Sequence, residues 1–257
     1  TWDGWIYGAN GRSGGNIHFA ADFVRPESQL PTNAEPVPIT NCDFRFHPDR
    51  RLLEATGGFT QFGQAFDDRG NRFISWNTIH VRHVVMEQRY LNRNPHAAMT
   101  QTTAEICQEG STARIFPVSQ TTQRFNAEPP GFFNASCGLS IYRGHRLPTR
   151  FLGNAFACEP LSNLVHRDVL QQNQTTFIAS RPAEELEREF LAASDPWFRP
   201  VNTATGPDGG LYLVDFYRPW VEHPQFVADR NARESVDFST GRDYGRIYRV
   251  IGKSNKA

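Results

Sequence analysis

The sequence predicts an all-β fold of the propeller type. A strand-entry turn recurs along the chain. Residues 206–223 show it best: a Gly-Pro-Asp-Gly turn feeds the apolar run Leu211-Tyr-Leu-Val-Asp215. Proline pre-sets its own φ and glycine tolerates φ > 0, so such a turn is fixed by its residues. Asp3-Gly4-Trp5-Ile6-Tyr7-Gly8, Asp67-Asp68-Arg69-Gly70-Asn71-Arg72-Phe73-Ile74, and the pair Arg143-Gly144 with Leu152-Gly153-Asn154-Ala155-Phe156 repeat the theme. Repetition at tens of residues points to a blade array. The second observation is about a dozen short aromatic or β-branched runs bounded by turn residues. The third is composition. With 20 Gly, 17 Pro and 20 Phe but 2 Met, helical periodicity is scarce. At 257 residues the chain is expected to be one domain, residues 1–257.

Taken in order, residues 1–25 read as a strand pair around the turn Asn10–Gly15, and residues 26–38 as a Pro-rich surface loop. Cys42–Asp49 alternates apolar and polar positions. Leu52–Gly58 and Gly63–Phe66 continue the sheet, and Val81–Val85 is a further strand. Residues 92–113 are polar and read as an inserted loop, with strand resuming over Ala113–Val118. Gly138–Leu170 supplies a hairpin and a third strand. Thr175–Ser180, Leu211–Phe216 and Arg246–Ile251 complete the series. Pro182–Leu191 places acidic residues in a first turn, which predicts one short helix near residues 183–191.

Formal charge is balanced, 27 basic against 27 acidic side chains. This disfavours nucleic acid or an anionic membrane surface as partner, since both select clustered positive charge. No apolar run is long enough to span a bilayer. The chain opens at Thr1 inside a turn motif with no leader pattern, so an incomplete propeller with its natural N-terminus upstream is expected. The Asn-x-Ser/Thr sites at Asn134 and Asn173 read as chance matches.

Four cysteines, Cys42, Cys107, Cys137 and Cys158, include no Cys-x-x-Cys pair, so this segment has no haem-attachment or structural-zinc motif. Cys137 and Cys158 flank the predicted hairpin and are expected to meet. A disulfide between them is one reading and two buried thiols the other. The disulfide implies maturation in an oxidising compartment.

Chemistry-bearing residues concentrate in three places. Asn77-Thr-Ile-His80-Val-Arg82-His83 is the densest polar cluster. His80, Arg82, His83 and Arg199 are the catalytic candidates, as general bases and anion or quinone clamps. The alternative is channel lining or satisfied core histidines. Asp195-Pro-Trp197-Phe-Arg199 sets an arginine between aromatics; Asn77, Trp197 and Arg218 are the cofactor-binding candidates. Asp195 and Asp215 offer oxygen ligands for calcium, although Asp215, Arg218, Glu222 and His223 read equally as a structural network closing the ring. Asp208 is expected to stabilise its turn.

Ser136–Gly144, Phe151–Pro160, Asn163–Arg167, Glu189–Asn202, residues 206–223 and Asp243–Val250 together resemble the PVC-type membrane-bound dehydrogenase family over nearly the whole chain. The resemblance implies a six-bladed propeller related to soluble quinoprotein sugar and sorbosone dehydrogenases. It implies pyrroloquinoline quinone and calcium as cofactors, a sugar or alcohol substrate, and a c-type cytochrome or haem domain as electron acceptor. It also implies a periplasmic or extracellular location. Many such proteins carry helical repeats and a haem c domain further along; residues 1–257 hold neither pattern. At the positions matching the cofactor-contacting Arg and the calcium-holding Gly-Pro stand Phe59 and Thr78-Ile79. Two functions follow as expectations. One is an extracytoplasmic dehydrogenase-like propeller. The other is a non-catalytic propeller serving as a binding or assembly module in a haem-containing complex.

Overall fold

The computed structural model describes residues 1, 3–18, 35–94, 96, 101–120, 129–221, 224–227 and 230–253. Strand β1 (Ile6–Gly8) pairs in a three-stranded sheet, while β2 (Asn16–Ile17) and β3 (Val37–Pro38) form a small ribbon. The first sheet has the order β1, β4 (Asp43–His47), β5 (Leu52–Thr56). β1 and β2 are therefore not partners, contrary to the strand pair expected over residues 1–25. The second sheet is the meander β6 (Gly63–Phe66), β7 (Arg72–Ser75), β8 (Arg82–Val84) and β9 (Thr103–Glu105). The third runs β10 (Cys137–Ile141), β11 (Ala155–Glu159), β12 (Leu164–Asn173), β13 (Thr176–Ser180), with β14 (Leu191–Ala192) also on β12. The fourth is β15 (Pro200–Thr205), β16 (Leu211–Asp215), β17 (Arg246–Val250). Every strand pairing within these sheets is antiparallel.

The first strands of successive meanders pack on one another, β6 on β10 and β10 on β15. Sheets stacked face to face through their leading strands are blades of a propeller, and the array is not closed. At one such junction Gly138 has φ +58° and its N–H donates to Phe62 O across 3.1 Å. A side chain there would meet Val201 O at 2.3 Å, so glycine is required by both torsion and space.

Strand alternation assigns each blade face its own core. Phe156 and Cys158 of β11 pack with Tyr142, Val165, Leu211 and Leu213 between the third and fourth sheets. Ala155 and Ala157 turn the other way, joining Phe73, Val81, Leu139 and Ala179 between the second and third. The small alanines matter below, because they leave room beside β12.

Three local expectations are corrected. Residues 183–191 form no α-helix. A single 3-10 turn, Ala183–Glu185, is followed by straightening into β14. Glu185 bends inward to Arg167, and Glu189 to His166 and Arg181, and these buried pairs override helix propensity. The short α-helices lie instead at Gln88–Leu91 and Arg230–Ser235. The polar stretch 92–113 contains β9, the outer strand of its blade, whereas Ala113–Val118 is irregular, with one isolated β-bridge from Arg114 to Phe132. Among the described residues, no helix is long and apolar enough to cross a membrane.

Candidate functional site

β12 crosses the third sheet with every second residue facing the second sheet. That face carries His166 and Asp168, and their cross-strand neighbours are Ala157 and Ala155. The loop between β7 and β8 delivers His80 onto the same spot. His80 Nε2 lies 2.6 Å from Asp168 Oδ2, and His166 Nε2 lies 3.0 Å from Asp168 Oδ1. Both imidazoles share one carboxylate, and all three side chains are buried. The ring of His80 stacks on Phe133 with centroids 4.4 Å apart and meets His166 edge-on at 4.7 Å. The chain of contacts continues outward. His166 Nδ1 is 2.9 Å from Glu189 Oε2, while Glu189 Oε1 accepts from Arg181 Nη2 at 2.7 Å and Phe116 N at 2.9 Å. Arg181 also donates to the carbonyls of Glu185, Arg188 and Arg114. His80 Nδ1 is closed off from solvent and has no hydrogen-bond partner.

A cleft of about 370 Å³ opens over this cluster, walled by His80, Cys107, Arg114, His166, Asp168 and Arg181 among others. Burial opposes charge throughout the cluster, and the partners decide the outcome. Burial alone would lower His166, but Asp168 and Glu189 hold it up at about 9. Burial would raise Asp168, but His166 and His80 hold it well below the usual carboxylate range. Glu189 is lowered against burial by His166 and Arg181. His80 is lowered, because burial there outweighs Asp168. Burial pushes the Cys107 thiol up to about 11.

The nominated residues separate. Only His80 joins the cluster. Arg82 points to the other side of the second sheet, over Trp76 at 4.6 Å, and lies 3.8 Å from Glu105. His83 donates to or accepts from Thr176 Oγ1 at 3.0 Å and packs between Phe73 and Phe177. Asn77 is held by backbone bonds to Gln61 and Ser136. Arg199 is buried, and its guanidinium donates to the carbonyls of Pro160, Leu161, Arg218 and Pro219. It staples the third sheet to the chain after β16. Trp197 stands beside Tyr217 and Tyr244, and Arg218 lies over Phe216 with a bond to Arg242 O. Among the described residues, no hydrogen bond or ring contact joins these two to Asn77. Asp195 and Asp215 do approach a common point, but Arg246 fills it, 3.6 Å from Asp195 Oδ2 and 2.9 Å from Asp215 Oδ2. The other oxygen of Asp215 accepts from the backbone of Arg199 and Tyr217. This donor set is satisfied by a guanidinium and does not fit calcium. Asp208 caps its own turn through Gly210 N, as expected. Glu222 and His223 lie outside the described residues.

The hairpin sets Cys137 directly opposite Cys158, as the sequence implies. The two are free thiols, as are Cys42 and Cys107, which corrects the disulfide reading. The ladder shifts register between Cys137 and Ser140, and the pair fits there as small apolar side chains packed on the core between the third and fourth sheets.

His166, Asp168, Glu189 and Arg181 were not singled out from sequence. The available signal was His166-x-Asp168 in a strand that opens Leu164-Val165 and continues Val169-Leu170, since residues two apart share a face.

Among curated proteins none matches the chain. Of solved structures, it is similar to a glucose dehydrogenase-type oxidoreductase from Thermus thermophilus, at 14% identity and a TM-score of 0.41, over 83% of this chain and 56% of that one. It is also similar to the soluble aldose sugar dehydrogenase of Escherichia coli in its apo-form, at 12% identity and a TM-score of 0.37, over 82% of this chain and 58% of that one. The chain thus spans little more than half the length of each. A family model matches the sequence from end to end of the blade array, residues 1–254, and the chain belongs to that family, the domain of unknown function DUF7133.

Proposed function

We propose that this chain bears the reactive site of a dehydrogenase-like propeller that oxidises a sugar or another alcohol. The observation that carries the reading is the buried His80–Asp168–His166–Glu189 chain at the wall of an open cleft. Charged groups are costly to bury, and a linked set of buried histidines and carboxylates bordering a concavity is a candidate working site. The cleft volume of about 370 Å³ suits a ligand of monosaccharide size. Its mixed lining, with Gln108, Ser180 and Glu187 beside Phe116 and Leu186, suits a ring with hydroxyls on its edge and an apolar face. The reaction class comes from the resemblance of the sequence to the PVC-type dehydrogenases.

In this reading His80, His166 and Asp168 act on the hydroxyl, and Glu189 and Arg181 position His166. Oxidation of the alcohol carbon to a carbonyl releases two protons and two electrons. Both electrons go to an external two-electron acceptor of the quinone class and from it, one at a time, to a c-type cytochrome or haem domain, in a periplasmic or extracellular setting. A second reading, a binding or assembly module in a haem-containing complex, is favoured by one observation: Arg246 occupies the place between Asp195 and Asp215 where calcium was expected.

Reduction of an artificial electron-acceptor dye by the full-length protein separates the two, tested over a panel of aldoses and simple alcohols. The enzyme reading expects substrate-dependent dye reduction that Asp168→Asn lowers by at least tenfold. Saturable sugar binding with no dye reduction supports the binding module instead.

A further inference from the structure

We infer that His80, His166 and Asp168 form a binding site for one divalent transition-metal ion, with Glu189 as the positioning residue of His166. The inference concerns the same cleft as the function proposed above; with an ion bound, His80, His166 and Asp168 would act on a hydroxyl through the ion rather than directly, and ion binding is measurable without turnover.

Three features of the cluster carry it. Among the described residues, these three side chains are the group whose potential ligand atoms lie within 4.8 Å of one another. Two imidazole nitrogens and a carboxylate oxygen form a donor set for zinc, iron or cobalt, and its nitrogen donors disfavour calcium and magnesium. Metal–nitrogen and metal–oxygen bonds of roughly 2.0–2.2 Å bring donors to about 3 Å from each other. The two His–Asp pairs stand at 2.6 and 3.0 Å, on different oxygens of Asp168; an ion between them displaces both bridging protons, that of His166 being released and that of His80 moving to Nδ1.

The surroundings match as well. A ligating histidine characteristically gives its second ring nitrogen to a carboxylate, which fixes tautomer and ring angle. His166 Nδ1 meets Glu189 in this manner, and Glu189 is in turn anchored by Arg181 and Phe116 N. His80 is held by its stack on Phe133; ligation through Nε2 places its proton on the buried Nδ1, which has no partner, so of the two rings His166 alone has its outer contact in place. Three protein ligands beside an open cleft leave a coordination position for water or a substrate hydroxyl, the arrangement of catalytic rather than structural ions.

The test is zinc titration of the metal-stripped full-length protein by calorimetry, with cobalt(II) absorption as the second probe. One equivalent of zinc per chain is expected. His166→Ala and Asp168→Asn abolish that equivalent. Glu189→Gln keeps the stoichiometry and weakens affinity by roughly 10–100-fold, as loss of an outer carboxylate does. Circular dichroism checks that the variants fold. If they do not, the wild-type cobalt spectrum decides, since bound ion shows the intense bands of a four- or five-coordinate site. No zinc uptake, a cobalt spectrum of the hydrated ion, or undiminished uptake by folded His166→Ala overturns the site. A protein that takes up one zinc but reduces no dye keeps the metal site and loses the proposed reaction; turnover without any metal does the reverse.

Discussion

Glu189 Oε2 lies 2.9 Å from His166 Nδ1, and the same carboxylate is gripped at its other oxygen by Arg181. One side chain thus couples β12, β13's end and the segment at Phe116. Removing it leaves a buried imidazolium and a guanidinium facing each other. Glu189→Ala is expected to destabilise metal-free protein by about 3–5 kcal/mol, the usual result of breaking a buried pair from one side. Glu189→Gln keeps an acceptor for Arg181 and Phe116 N but turns an amide N–H toward His166 Nδ1, which suits only the neutral ring; it is expected to cost less than Glu189→Ala and to pull the His166 pKa down. Urea denaturation of both variants checks the order.

Arg199 distinguishes a structural from a catalytic arginine. Its donors are spent on carbonyls, and charged hydrogen bonds contribute about 1.5–3 kcal/mol when the partners are buried. Arg199→Met is expected to lose at least about 3 kcal/mol. Arg199→Lys cannot span the carbonyls of Pro160 and Pro219 at once and should lose nearly as much. Turnover or ligand binding per folded molecule should stay within twofold of the parent in both. A specific loss of turnover at intact stability would contradict the staple.

Two glycines with positive φ are expected to respond differently to alanine. At Gly138, φ +58°, the new Cβ meets backbone at 2.3 Å, while at Gly153, φ +76°, it meets nothing within 4 Å. Gly153→Ala therefore carries only torsional strain, about 1 kcal/mol. Gly138→Ala adds displacement of β15 and is expected to cost more than about 3 kcal/mol or prevent folding. Thermal melts of the pair test whether the blades meet at Gly138.

The cysteines make the protein sensitive to alkali. Burial, reinforced by Glu159, pushes Cys137 up to about 12, and burial together with Cys137 places Cys158 well above 9.0. A thiol with a raised folded pKa contributes stability that is complete below its unfolded value of 9.0 and is lost as pH rises toward the folded one. Melting temperature should fall from pH 9 upward, more steeply than in a Cys137→Ala/Cys158→Ala variant. Denaturation without reductant should expose four thiols. Detection of two would restore the disulfide.

Much of the fold was legible because its signals are local. Turn glycines and alternating apolar residues gave most strands from Cys42 onward, but not β9, β14 or β15. Less legible were features decided by distant partners. The acidic run at residues 183–191 looks helical until Arg167, His166 and Arg181 draw its carboxylates inward. β9 hides in a polar stretch because an outer blade strand needs little apolar surface. The site was half legible. His80 stood out in a polar cluster, but its partner Asp168 lies 88 positions on in sequence. Asp168 and His166 also sit inside a strand whose neighbours are hydrophobic. Asp195 and Asp215 both reach Arg246, and nothing local in the sequence announced that this guanidinium stands between them.

If His80, His166 and Asp168 converge as ligands at the wall of the cleft, a zinc ion sits between them. Anomalous diffraction at the zinc edge from crystals of the zinc-loaded protein tests it most directly. A single peak is predicted, roughly 2.0–2.2 Å from His80 Nε2, His166 Nε2 and an Asp168 oxygen, with His166 Nδ1 still on Glu189. Zinc found elsewhere, with both histidines still bonded directly to Asp168, would contradict the account.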